Sequence, residues 1–382
     1  MRISFLAPRL PPAVCGVADH TRLLAEAMIA QGIGVGFIHC EAAPVASETL
    51  PGPVGQWCGG ADSLAACVGR QGSDWLWLQL SGYGYSRWGA PYRLGRDLKR
   101  FRQSMPDVRI AICLHETHCL PRQLGLKGPV LSPWQRHTVA GVTRLGDVIF
   151  TAVAPYYQQA IEEYQVAPGR VFRLPIGSNI PPASLTPQDR AELRNRLGWQ
   201  DNETVAVVFG SYPTQLRALQ QFEQVIRNGM QQGFLHRLIC LGGDQRDSAQ
   251  QIKDWGAACS PSGKFEVLGP RPAPDVGRIL ACCDFALTPT PRHLLEKSGA
   301  FIAYAFAGLA VLVNTAPSER SSSVDDLPVV PAESWEWQRA SSPEVAGIRI
   351  ALKNHAHANY TWNSIAQRAL THLAETRILR VR

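Results

Sequence analysis

Along the chain one arrangement recurs: a short unbroken apolar run, a few turn residues, then apolar positions three and four apart. "RISFLAP" predicts a strand, and "GVADHTRLLAEAMIAQG" after it predicts an amphipathic helix with a terminal Gly. "GVGFIHC", "DWLWLQLS", "RIAICLHE" and "DVIFTAVAP" continue the strand series, separated by helices or loops. The series then restarts. "TVAVVFGS" predicts a strand, "TQLRALQQFEQVIRNGMQQG" a helix, and "HRLICLGGD", "KFEVLGP" and "DFALTPTP" further strands, with "APDVGRILACC" helical before the last. Residues 293–308 predict a helix, "LAVLVN" a strand, and 362–376 a C-terminal helix. Apolar strands alternating with helices mean a parallel sheet covered on both faces.

Two such series need two cores, and 382 residues are too many for one. The Pro-rich start of "PIGSNIPPASLTPQDRAELRNRLGW" marks the connection. The expected organisation is an N-terminal domain over 1–182, joined by the helical tail 362–382, and a C-terminal domain over 183–361. Two doubly wound domains are expected to face a central cleft lined by strand ends, where ligands of such folds bind.

Composition narrows the class. Apolar residues make up 45% and charged residues 18%, as in a folded, water-soluble protein. The first apolar run is about five residues and meets Pro at once, which is no secretory signal. No window reaches the roughly 20 apolar residues of a membrane span. The chain is expected in the cytoplasm. Its ten cysteines contain no C-x-x-C pair, and several, such as Cys113 and Cys240, sit inside apolar runs as small hydrophobes. Reduced thiols, no metal and no resident cofactor are expected.

The net charge is +7, and the basic residues cluster. Segment 86–103 carries Arg87, Arg93, Arg96, Lys99, Arg100 and Arg102 against Asp97 alone, with Leu94, Leu98 and Phe101 at helical spacing. One reading is a solvated helix face; the other is attraction to an anionic membrane or a phosphate-bearing acceptor. No nucleic-acid motif accompanies the patch.

Chemistry is expected at the strand ends. Gly16 opens the first helix, where a missing Cβ and free helix amides admit a phosphate. "RIAICL" ends in His115, Glu116, Thr117 and His118. A neutral histidine there can donate to a sugar hydroxyl, and Glu116 could set its tautomer. The "HETH" spacing does not suit zinc. In the second series Gly210 and Ser211 follow a strand, and Arg217 stands a turn into the next helix. Glu296, Lys297, Ser298 and Gly299 open the small, apolar segment 299–308. Helix amides, the Lys297 charge and the Ser298 hydroxyl would make an anion site, with Glu296 accepting from sugar hydroxyls. A buried helix with Glu296 as an N-terminal charge is the plainer alternative.

Taken in order, "PPAVCGVADHTRLLAEAM", "VFRLPIGSNI", "VAVVFGS" and "FEVLGPRPAPDVGRILACCDFALTP…EKSGAFIAYAFAGLAVLV" resemble a glycosyltransferase of the GT-B fold, most similar to the retaining, family-4-like group. The resemblance spans most of the chain. It implies two Rossmann-like domains and transfer of a sugar from a nucleotide diphosphate, UDP- or GDP-linked, to a hydroxyl acceptor; the acceptor is expected to be a saccharide or, from the basic segment 86–103, lipid-linked. It implies a metal-independent reaction with retention. It places Gly16 at the donor diphosphate, His115 at the transferred sugar with His118 as second candidate, Arg217 as the basic residue, and Glu296 as the first Glu of an E-x7-E element. The sequence departs from that element: Tyr304 stands where the second Glu belongs, and Lys297-Ser298 replace Gly-Phe. A divergent subgroup with KSG-x-F-x-A-Y fits better, with Tyr304 expected on the nucleoside. A nucleotide- or sugar-binding protein without chemistry and a nucleotide-sugar epimerase are the alternatives.

Overall fold

The computed structural model describes residues 1–13, 15–40, 45, 47–243, 249–259, 264–314 and 327–379. The last three residues of the expected tail lie outside that set. The chain forms two compact units, Met1–Gly177 with Thr361–Arg382, and Ser178–Tyr360.

The first unit is built on β1 (Arg2–Ala7), β2 (Gly34–His39), β3 (Val54–Gln56), β4 (Trp75–Leu80), β5 (Arg109–Leu114), β6 (Val148–Thr151) and β7 (Val171–Arg173). They make one parallel sheet of order β3-β2-β1-β4-β5-β6-β7. The second holds β8 (Val205–Phe209), β9 (Arg237–Leu241), β10 (Phe265–Gly269), β11 (Phe285–Thr288), β12 (Ala310–Val313) and β13 (Val330–Pro331) in the order β10-β9-β8-β11-β12-β13. Each order reverses once, between β1 and β4 and between β8 and β11. A crevice outside the strand carboxyl ends forms at such a reversal.

β4 shows why these runs are continuous rather than alternating. Leu76, Leu78 and Leu80 pack on one face of the sheet, and Trp75 and Trp77 on the other. Both faces are covered, so neither can be polar. The face of Trp77 is roofed by the first helix, Gly16–Ile29, and by the C-terminal helix, Trp362–Leu379, through Leu24, Met28, Ile365, Ala369 and Leu373. Among the described residues no helix is long and apolar enough to cross a membrane.

Two predicted helices are interrupted. The one after β8 splits into Tyr212–Gln221 and Glu223–Gln231, because Phe222 leaves helical geometry (φ −105°, ψ 11°) and is buried in the core. The segment predicted over 293–308 becomes a 3₁₀ turn, Arg292–Lys297, and a helix, Gly299–Ala307. Ser298 between them is extended, and its hydroxyl accepts from Phe301 N at 3.3 Å, which starts the helix one residue later. Gly308, in the left-handed region at φ 71°, ends it.

Candidate functional site

In the first unit the polar groups gather at the β1/β4 reversal. Gly16 is the first residue of its helix; no side chain caps this end, and a Cβ added to Gly16 would meet nothing within 4 Å. The protein's own packing therefore does not require glycine there. One turn on, His20 is only 6% exposed, and neither ring nitrogen has a hydrogen-bond partner among the described residues. Burial pushes its pKa down to about 4, so the ring is neutral at pH 7. It meets His115 edge-on at 4.9 Å and Trp362 at 5.2 Å.

His115 follows β5, and its Nε2 lies 2.6 Å from Gln79 Oε1. Gln79 is the lone polar residue of β4 and is fully buried. The expected tautomer partner, Glu116, instead accepts from Ser81 Oγ at 2.7 Å. This corrects the sequence reading: strand pairing sets Gln79 beside β5, whereas Glu116 lies beyond the strand end and meets the residue after β4.

His118 is drawn away from this cluster. Its Nδ1 lies 3.0 Å from the Tyr164 hydroxyl, which accepts from His118 N at 3.2 Å, and its Nε2 stands 3.8 Å from Glu163. Burial holds its pKa below the usual value, against the pull of Glu163. His118 lines a cavity of about 780 Å³ with Pro121, Arg136, His137, Arg144 and Glu163.

In the second unit the groups follow the adjacent strands β8 and β11 in the chain. Gly210, at φ 145°, turns the chain out of β8, and Ser211 is the cap residue of the next helix, its carbonyl accepting from Gln215 N at 2.9 Å while its side chain makes no capping bond to the helix backbone. Arg217 is exposed and folds back along that helix, its guanidinium 3.4 Å from Pro213 O and from Thr214 Oγ1. After β11 the 3₁₀ turn carries Glu296 and Lys297, and Ser298 and Gly299 open the following helix. Leu295, fully buried, anchors the turn. Glu296 Oε1 accepts from the Tyr360 hydroxyl at 3.1 Å, and that oxygen lies 3.0 Å from His355 Nε2. With the Tyr360 proton committed to the carboxylate, His355 Nε2 is the donor to Tyr360.

Tyr304 is corrected in role. It is 1% exposed; its hydroxyl accepts from Phe209 N at 2.6 Å and donates to Phe209 O at 3.2 Å, and burial raises its pKa. β8 pairs with β11 only at Ala206 and Val207, so the Phe209 amide and carbonyl lack strand partners on that side. A buried backbone group must find one, and the tyrosine supplies both. No surface is left for a nucleoside.

His20, Gln79, Ser81, His355 and Tyr360 escaped the sequence reading. Gln79 alone carried a signal, as a polar residue in "WLWLQL".

No protein-family profile and no curated protein sequence matches the chain. Solved structures do. A glycosyltransferase from Rickettsia africae superposes with TM-score 0.69 at 12% identity, over 98% of each chain. HepE of Anabaena in complex with UDP gives 0.66 at 14% identity, over 98% of this chain and 100% of that one. Sucrose-phosphate synthase from Thermosynechococcus elongatus gives 0.67 at 13%, over 99% and 100%. The chain is similar to these proteins in architecture throughout its length, and it has the two-domain α/β fold of the GT-B glycosyltransferases.

Proposed function

We propose that the protein transfers a sugar from a nucleotide diphosphate, UDP- or GDP-linked, to a hydroxyl of a saccharide or lipid-linked acceptor, with retention and without a metal ion. The observation that carries this is the β8/β11 cluster. Two helix starts, at Ser211 after β8 and at Ser298-Gly299 after β11 and its 3₁₀ turn, follow neighbouring strands, with Glu296 and Lys297 just before the second and Arg217 inside the first helix. Helix starts and cations hold a diphosphate, and they stabilise the charge that grows on it as the glycosidic bond breaks. Glu296, held by Tyr360, accepts from sugar hydroxyls. The likeness to HepE, which was solved with UDP and glucose, supports the donor class.

In the first unit Gly16 admits the diphosphate, and His115, oriented by Gln79, bonds a hydroxyl of the transferred sugar. Glu116, fixed by Ser81, borders the reacting centre. His118 is the less favoured sugar contact. The protein acts in the cytoplasm and touches an anionic membrane through the 86–103 segment. Leu94, Leu98 and Phe101 of that segment are core residues, Arg102 pairs with Asp147 and Arg96 with Asp97, leaving Arg93, Lys99 and Arg100 on the exposed face. Leu126, Val130 and Trp134, four residues apart, are also exposed, and neighbouring Lys127 lies 5.0 Å over the ring of Trp88 in this segment.

The burial of Tyr304 favours a second reading, a binding protein or an epimerase, because the residue at the second Glu position is turned into the core. Donor turnover separates the readings. Acceptor-dependent release of UDP or GDP is expected. Turnover without an acceptor would identify an epimerase or hydrolase. A melting-temperature rise with a diphosphate and no turnover would identify a binding protein.

A further inference from the structure

The face of β4 and β5 that carries Trp77 ends in a polar cluster. Cys113 sits one pleat before His115 on that face, across from Gln79, and is buried. His20 enters from the first helix, with both ring nitrogens buried and without hydrogen-bond partners among the described residues. A buried polar group left so costs about 1–3 kcal/mol, a standing penalty that an occupant would relieve. One ligand atom each from His20, Cys113 and His115 lies within 4.8 Å of the others.

We propose that His20, Cys113 and His115 form a binding site for a thiophilic divalent cation, zinc above all. Two imidazoles and a thiolate are a zinc donor set, whereas magnesium and calcium take oxygen. Zinc bonds of about 2.0–2.3 Å need ligand atoms roughly 3.3–3.8 Å apart, so side-chain adjustments of about an ångström close the site. Three protein ligands leave one tetrahedral position for water. The Gln79 bond to His115 orients that ring, as ligating histidines require. On binding, the Cys113 S–H bond breaks, its proton leaves to solvent, and a Zn–S bond forms; each neutral imidazole donates a lone pair, and nothing is oxidised or reduced. Occupation engages His115, so the ion would compete with the sugar role proposed above.

The test uses the full chain, stripped with a chelator and desalted, with zinc chloride as the only added ligand. Calorimetry is expected to show one equivalent bound, undiminished by excess magnesium. Cobalt(II) in its place is expected to give thiolate-to-metal charge-transfer absorption. Cys113→Ser is expected to abolish that absorption, and His20→Gln to weaken zinc at least about 10-fold. Cys58→Ser, at an exposed cysteine, is expected to change neither. If Cys113→Ser does not fold, His20→Gln decides. No zinc binding by the native chain, or binding unchanged in the folded variants, would overturn the site. Sugar transfer enters none of these readouts, so either proposal can fail without the other.

Discussion

At the β1/β4 reversal the polar side chains are hydrogen-bonding groups tied mainly to one another: Gln79 meets His115, and Ser81 meets Glu116. At the β8/β11 reversal the chain offers two helix starts, Lys297, Arg217 and a carboxylate held from behind by Tyr360. Counted from each unit's first strand, the first six strands take the same order in both sheets, and the first unit adds β7 at the edge. The difference lies in the turns and helix starts beyond the strand ends. In the function proposed above, the side chains of the first arrangement take sugar hydroxyls and the second holds the diphosphate. A common architecture sets where ligands bind, while the residues after the strands set which ligands.

Changing one side at a time would break this comparison. The largest effect is expected from Lys297→Ala, which should lower kcat/KM by about 10²–10³ and remove the melting-temperature rise caused by the cognate diphosphate. A variant that keeps both would dissolve the assignment of the second unit. Next comes pH. The folded-state pKa of His20 lies at about 4, below the ordinary 6.5, so the unfolded chain takes up this proton first as pH falls. The stability it contributes is complete above 6.5 and is lost between 6.5 and 4, about 3 kcal/mol in all. Urea unfolding across that range should show the slope, and His20→Gln should flatten it.

His115→Ala sharpens the contrast from the other side. It should cost about 10–100-fold in kcat/KM for the sugar donor, the value of a hydrogen bond or two, and leave affinity for the free diphosphate unchanged. Equal losses for both ligands would erase the distinction. The smallest effect is expected from Tyr304→Phe. It strips Phe209 of both partners and should lower stability by about 1–2 kcal/mol in denaturant titrations, without changing which nucleotide binds. A switch in nucleotide preference would return Tyr304 to the nucleoside.

Strands such as "VAVVFGS" and "WLWLQL" were legible because a strand buried on both faces must be apolar along its length, which is visible within a few residues. The "EKSG" quartet was legible as a helix entrance, though not as a 3₁₀ turn followed by a serine cap, since that depends on which hydroxyl reaches the Phe301 amide. Tyr304 misled because alignment with a carboxylate position says nothing about depth. Its hydroxyl answers Phe209, 95 residues earlier, where a strand pairing runs out. Gln79 and His115 are likewise joined only because β4 and β5 pair in register.

Alternation, helix entrances and clusters of charge followed from neighbours in the chain, since periodicity and capping act over a few residues. The partners of His20, His115, Glu296 and Tyr304 came from packing, because a buried polar atom is satisfied by whatever the fold brings within about 3 Å of it, however far away in the chain.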